Sequence, residues 1–237
     1  MRSSLVTSVV ALLLLHPGSL SAEESIRKLG IRVLVHDPVR PVPELHVADD
    51  RGGVVPLNLV SKDLSGTQQV RLAGDRLAFY SSSETDTSEP GESLIGSVRI
   101  PPSAEKAIVV LFPEGDGKGY RGLVIDDSAG RFPNGTSRVI NGTPVEIAVR
   151  AGEHRLAVKP GAVLKIPPVS RKNDFNFAQT DFFYRLDEKS QWTSFSERQL
   201  KFVDSARRIF VTFVSKGAVA PAVSTVLDTG EVVIPAE

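Results

Sequence analysis

Apolar and polar positions alternate along much of this chain with a period of two, the repeat expected of a strand that buries one face. In Val145-Glu146-Ile147-Ala148-Val149-Arg150 the odd positions are apolar, while Glu146 and Arg150 fall on the opposite side. Runs of this kind at 136–140, 145–150, 154–159 and 162–166 are separated by Asn141-Gly142, Ala151-Gly152 and Lys159-Pro160-Gly161. Those residue types accept or preset the φ values of tight reversals, so residues 136–166 read as an antiparallel meander. Further strands are expected at 31–36, 44–48, 54–60, 69–72, 76–80, 94–100 and 106–112, after a short charged lead at 25–28. Pro38, Pro41 and Pro43 together remove three backbone donors, which makes that run an edge or a connector. Glycines and prolines recur at strand-like intervals and leave no room for a long helix. The pattern predicts an all-β fold, an antiparallel β-sandwich built of two immunoglobulin-like units.

A faint internal echo supports two units. Val70-Arg71-Leu72-Ala73-Gly74-Asp75-Arg76-Leu77-Ala78 resembles Val149-Arg150-Ala151-Gly152-Glu153-His154-Arg155-Leu156-Ala157. Ile100-Pro101-Pro102 precedes one apolar run at 107–112, and Ile166-Pro167-Pro168 precedes another at 209–214. The expected division is therefore a first unit at 23–115 and a second at 116–237, the latter carrying an aromatic-rich insertion at 173–205.

Residues 1–22 change the picture of where the chain works. Arg2, an apolar run at 5–15, Pro17-Gly18 and then small residues have the form of a secretory signal peptide. The apolar run is too short to span a bilayer, so the mature chain is expected to carry no transmembrane segment and to be exported, to a periplasm or the extracellular space. Removing Arg2 leaves 27 basic residues against 28 acidic ones, a charge of about −1. That near-neutral balance argues against nucleic acid or an anionic membrane as partner. The chain has no cysteine, which excludes disulfides, thiol catalysis and thiolate metal sites; 41% apolar composition is enough to fill a core instead.

Ten of the fifteen Phe, Tyr and Trp residues lie between Phe175 and Phe213. Most of this set is expected in the core, since aromatic side chains suit half-buried pleated surfaces. A binding face is the alternative for Trp192, Tyr184 and Phe195, with Trp192 foremost because Gln191, Thr193 and Ser194 surround it with polar groups. Metal ligation is read as absent, His36 and His46 being weak candidates that would share a face only if their strands paired as a hairpin. Asp126 and Asp127 follow an apolar run and could act as strand-end carboxylates. Residues 114–119 read as a glycine-rich connection, and Asn134-Gly135-Thr136 and Asn141-Gly142-Thr143 as turns rather than glycan acceptors. Ser25-Ile26-Arg27-Lys28 has the spacing of an acyl-serine motif without the scaffold that would present it. No cofactor motif is present.

The segment Phe132-Pro133-Asn134-Gly135-Thr136-Ser137-Arg138-Val139-Ile140-Asn141-Gly142-Thr143-Pro144-Val145 resembles uncharacterised secreted bacterial β-sandwich proteins of immunoglobulin-like type. The resemblance implies a fold and an exported location and carries no catalytic residues. The function expected is a non-catalytic binding or structural module of the cell envelope or extracellular space, contacting a protein or a polysaccharide through the aromatic insertion. A glycan or ester hydrolase using strand-end carboxylates is the alternative.

Overall fold

The computed structural model describes residues 26–36, 43–115 and 118–230. The signal-like segment and nearly all of the proline-rich run lie outside the described residues. What is described is almost entirely strand and turn, with a single short 3-10 turn at Gly91–Ser93 and no α-helix. No helix among the described residues is long and apolar enough to cross a membrane.

The first half supplies β1 (Ile26–Val35), β2 (His46–Ala48), β3 (Val54–Pro56), β4 (Gln68–Ala73), β5 (Arg76–Tyr80), β6 (Leu94–Arg99), β7 (Lys106–Pro113) and β8 (Tyr120–Asp126). They form one sheet in the order β3-β2-β5-β4-β1-β7-β8-β6, and β5 also pairs with β6, which curls the sheet round on itself. Residues 26–28, expected as a charged lead, are the first turn of pairing between β1 and β4. β8 belongs to this first sheet, so the sheet continues past residue 115 as far as Asp126.

The second half supplies β9 (Ser137–Asn141), β10 (Glu146–Ala151), β11 (His154–Val158), β12 (Val163–Ile166), β13 (Phe177–Arg185), β14 (Thr193–Lys201), β15 (Arg207–Phe213) and β16 (Ala222–Asp228). Two four-stranded sheets result, β11-β10-β13-β14 and β12-β9-β15-β16. Residues 136–166 are thus not a simple meander, because β9 and β10 lie in different sheets. The corner between them is held by Asn141, which is fully buried. Its amide donates to the carbonyls of Val145 and Val158, both at 2.8 Å, and its oxygen accepts from the Thr143 N–H and hydroxyl at 2.9 and 2.7 Å. A side chain that satisfies both sheets at once turns Asn-Gly from a hairpin signal into a crossing point. The insertion at 173–205 is β13 and β14, a long hairpin that supplies half of one sheet.

The two halves of the sequence echo fold into matching hairpins. Ala73 pairs with Arg76 and Ala151 with His154, and the first loop residues Gly74 and Gly152 have φ of 64° and 56°. A positive φ at the first loop position alone is the II′ pattern, which favours glycine there. A second correspondence is topological: β1 runs parallel to β7, which pairs antiparallel with β8, and β9 runs parallel to β15, which pairs antiparallel with β16.

These two three-stranded motifs face one another. Leu34, Ile108, Val110, Phe112 and Ile125 from the first half pack against Ile140, Ile209, Val211 and Val226 from the second. β7 and β15 are therefore covered on both sides, Val109 and Leu111 lying in the first-half core and Phe210 in the core between the two sheets of the second half. Strands buried on both faces read as unbroken apolar runs, and these are the two runs that do so most clearly.

Candidate functional site

The outer face of the sheet β11-β10-β13-β14 presents the exposed residues Arg150, Arg155 and Ala157. Its inner face holds Ile147, Val149, Val158 and Phe182 in the core, so alternation sends Ala148, Arg150, Arg155, Ala157, Asp181 and Phe183 outward. Register lines them up in rows across the strands. Ala157, Ala148 and Phe183 form one row, and Arg155, Arg150 and Asp181 form the next. Two alanines beside an aromatic ring leave a depression, an open groove of about 440 Å³ walled at one end by Trp192.

Trp192 is held in place by its own surroundings. The loop that returns from β13 to β14 is fixed by Asp187, whose carboxylate accepts from the Ser190 hydroxyl at 2.9 Å and the Lys189 and Ser190 N–H groups at 2.9 and 2.8 Å. Those bonds, the Ser190 hydroxyl first, hold the Asp187 carboxyl below its ordinary pKa. The Arg185 guanidinium lies 4.8 Å from the indole centroid and donates to Glu146 at 2.6 Å. The ring is 39% exposed, yet its orientation is set by a cation that is itself anchored.

Charge on this face is unevenly matched. Arg150 donates to Asp181 at 2.6 Å, and Asp181, fully buried, also accepts from Gln179. Arg155 sits directly across from Arg150, an arrangement of like charges on neighbouring strands. Among the described residues no carboxylate forms an ion pair with Arg155.

The residues singled out from sequence do not all share this face. Trp192 lines the groove, whereas Tyr184 and Phe195 pack against the core on the opposite side of the sheet. A bulge between Phe182 and Phe183 shifts the register of β14 here, placing Phe195 within 6.0 Å of the Phe182 ring. Phe182, Phe202 and Phe210 are buried, and Phe175 and Phe177 are exposed. Phe183, Arg150 and Arg155 were not singled out; strict outward alternation from Ile147 and Val149 was the signal that could have found them.

His36 and His46 are not brought together as a hairpin. β2 pairs with β3 and β5, and β1 with β4 and β7. His36 is stacked near Phe112 and Phe213, with ring centroids 5.8 and 4.3 Å away, while His46 is buried beside Glu44 at 3.6 Å. No group of three or more His, Cys, Asp or Glu side chains among the described residues is arranged to hold a metal ion.

Asp126 and Asp127 go separate ways. Asp126 accepts from the Ser128 hydroxyl and N–H at 2.6 and 3.0 Å and closes a turn. Asp127 joins Arg32, Arg207 and Asp228 in a buried four-charge cluster between the halves. Arg32 donates to Asp228 at 2.9 Å through two nitrogens and to Asp127 at 2.9 Å, and Arg207 donates to Asp127 at 2.7 Å and also to Asp228. Burial by itself would raise the Asp228 carboxyl, but the hydrogen bond and charge of Arg32, the Gly230 N–H and Arg207 outweigh it and hold the group at about 2. Clefts of about 590 and 580 Å³ flank the cluster, and both are bordered by Arg32, Thr67 and Gly230. Its two arginines and two carboxylates neutralise one another, which suits a clamp between halves better than acid–base chemistry.

No family model matches this chain, and no curated protein matches its sequence. Among solved structures, a DUF3823 family protein from Bacteroides ovatus is similar over 74% of this chain and 99% of its own length, at 9% identity and a TM-score of 0.20. A superposition that loose carries no argument about fold or function.

Proposed function

We propose that this chain is an exported, non-catalytic binding module of the cell envelope or extracellular space, and that it takes a polysaccharide on the outer face of the second sandwich. One observation carries the reading: an exposed tryptophan, oriented by Arg185 and Glu146, stands at the end of a shallow groove floored by Phe183 and two alanines. Flat apolar surface with a few fixed polar groups suits the face of a sugar ring, and nothing about it gathers the titratable groups that bond cleavage requires. Export rests on the signal-like form of residues 1–22. The description of the halves as two immunoglobulin-like units is part of the same reading and rests on their matching hairpins and three-stranded motifs.

The test uses the single tryptophan. Titration of the mature protein with a panel of envelope and plant glycans should shift or quench Trp192 emission for at least one of them, and Trp192→Ala should lose binding to that glycan while keeping its fold. Binding that leaves the emission unmoved and survives Trp192→Ala would refute the site.

A further inference from the structure

The structure carries an inference about the chemical class of that ligand, which rests on the groove being the binding site. We infer that the groove is built for an acidic glycan, one whose sugar rings lie on Trp192 and Phe183 while a ring carboxylate is taken by Arg155 beside Arg150.

The argument starts from charge. Arg150 and Arg155 are directly opposed across β10 and β11, where two cations repel. Asp181 compensates only Arg150, and it is fully buried and already shared with Gln179. Glu197 faces Asp181 from β14, but it lies on the far side of Asp181 from the arginines and accepts from Ser194 at 2.8 Å. The basic end of the row therefore borders the groove and the acidic end does not, leaving Arg155 exposed with its charge unmatched. A guanidinium offers a planar fork of donors that fits a carboxylate with two bonds, which an ammonium would not.

Shape narrows the class further. Arg150 is locked onto Asp181, so Arg155 is presented beside a fixed cationic neighbour. The apolar row and the cationic row are adjacent on the same face, because Ala148 and Arg150 are two residues apart on β10 and Ala157 and Arg155 two apart on β11. A ligand that stacks on the apolar row therefore has its substituents beside the arginines. A pyranose ring carrying a carboxyl group has this combination of a flat face and an in-plane anion.

An acidic peptide is the obvious competitor for such a surface, and the backbone argues against it. An extended peptide is bound in large part through its main chain at a free sheet edge. β11 has an unpaired edge among the described residues, but the groove is formed by side chains on the face of the sheet, across β11, β10 and β13, and β10 and β13 are paired on both sides. A ligand recognised through ring faces and carboxylates needs no backbone partner.

The experiment compares oligosaccharides containing galacturonate, mannuronate or glucuronate with their carboxyl-reduced counterparts, by calorimetry, on the mature protein and its Trp192→Ala, Arg155→Gln and Arg155→Lys variants. At least one acidic oligosaccharide should bind about tenfold more tightly than its reduced form. Its affinity should fall as salt is raised, Arg155→Gln should erase the difference, and Arg155→Lys should restore only part of it. Arg155 is exposed, so circular dichroism and melting of these variants should match the parent. Reduced oligosaccharides that bind as tightly as the acidic ones, with Arg155→Gln silent and Trp192→Ala disruptive, would overturn the acidic class while sparing the groove. Failure of every oligosaccharide, acidic and reduced, would overturn both. Displacement of the bound oligosaccharide by polyglutamate at equal charge concentration would overturn the glycan in favour of an acidic polypeptide.

Discussion

Two arginine pairs in this protein meet opposite fates. Arg32, buried, and Arg207, largely so, share Asp127 and Asp228 in a closed network between the halves, two charges of each sign with each arginine bonded to both carboxylates. Arg150 and Arg155 lie on an open sheet face where one carboxylate, Asp181, pairs with Arg150 alone. The first arrangement has satisfied itself and fixes the two halves relative to each other. The second is incomplete in a way that a ligand could complete. Arginine content alone does not distinguish a clamp from a binding face; the count of matched partners and the access of solvent do.

The largest expected effect breaks the closed pair. Asp228→Ala leaves Arg32 and Arg207 competing for one carboxylate in a buried site, and should lower stability by about 3–5 kcal/mol, read as a lower urea midpoint. The same substitution should leave glycan affinity unchanged. A loss below about 1 kcal/mol would mean that the cluster is solvated and holds little.

Next comes the seam beside it. A Cβ added at Gly142 would stand 2.4 Å from the Phe112 ring and 2.8 Å from the Thr212 carbonyl. Gly142→Ala should therefore cost about 1–3 kcal/mol by forcing the corner of the second half away from β7. Thermal melting of the variant checks this, and a neutral result would show that the halves have room to slide.

The pH dependence is smaller and has a definite sign. The Asp228 carboxyl sits at about 2 in the folded protein against an ordinary 3.8, so the unfolded chain takes up its proton first. Stability from this group is complete above about pH 4–5 and is lost progressively as pH falls toward 2. Urea midpoints measured down this range should fall in the parent protein, and the Asp228→Asn variant should lack that part of the decline.

The open pair should contribute least to stability. Arg155→Gln and Trp192→Ala change exposed positions and are expected to move the unfolding free energy by no more than about 0.5 kcal/mol, the reverse of their effect on ligand affinity. A destabilisation as large as that of Asp228→Ala would place this face among the structural elements of the fold.

Much of the strand content was legible because alternation is local. β5 stands at the predicted 76–80, and β4, β6, β7, β10 and β11 lie within a residue or two of expectation. Pairing was less legible, since parallel partners such as β1 and β7 are joined through some seventy intervening residues that carry no register signal. Asn141-Gly142 has the composition of a hairpin loop, and only burial between two sheets makes it a crossing. The same limit applied to the site. The exposure of Trp192 was readable from its polar neighbours, but Tyr184 and Phe195 could be assigned to the inner side only once the Phe182/Phe183 bulge had fixed their register. Arg32 and Asp228 are 196 positions apart, and no spacing rule connects them.

The most direct test of the proposed binding face is backbone amide mapping by NMR of the protein as an acidic oligosaccharide is added. The account predicts that shifts concentrate on β10, β11 and β13, around Ala148, Arg150, Arg155 and Phe183, with the Trp192 indole resonance moving in step and the junction around Arg32 and Asp228 silent. Shifts centred on the clefts beside Arg32 and Asp228, or on the edge strand β14, with the Trp192 indole unmoved, would contradict it.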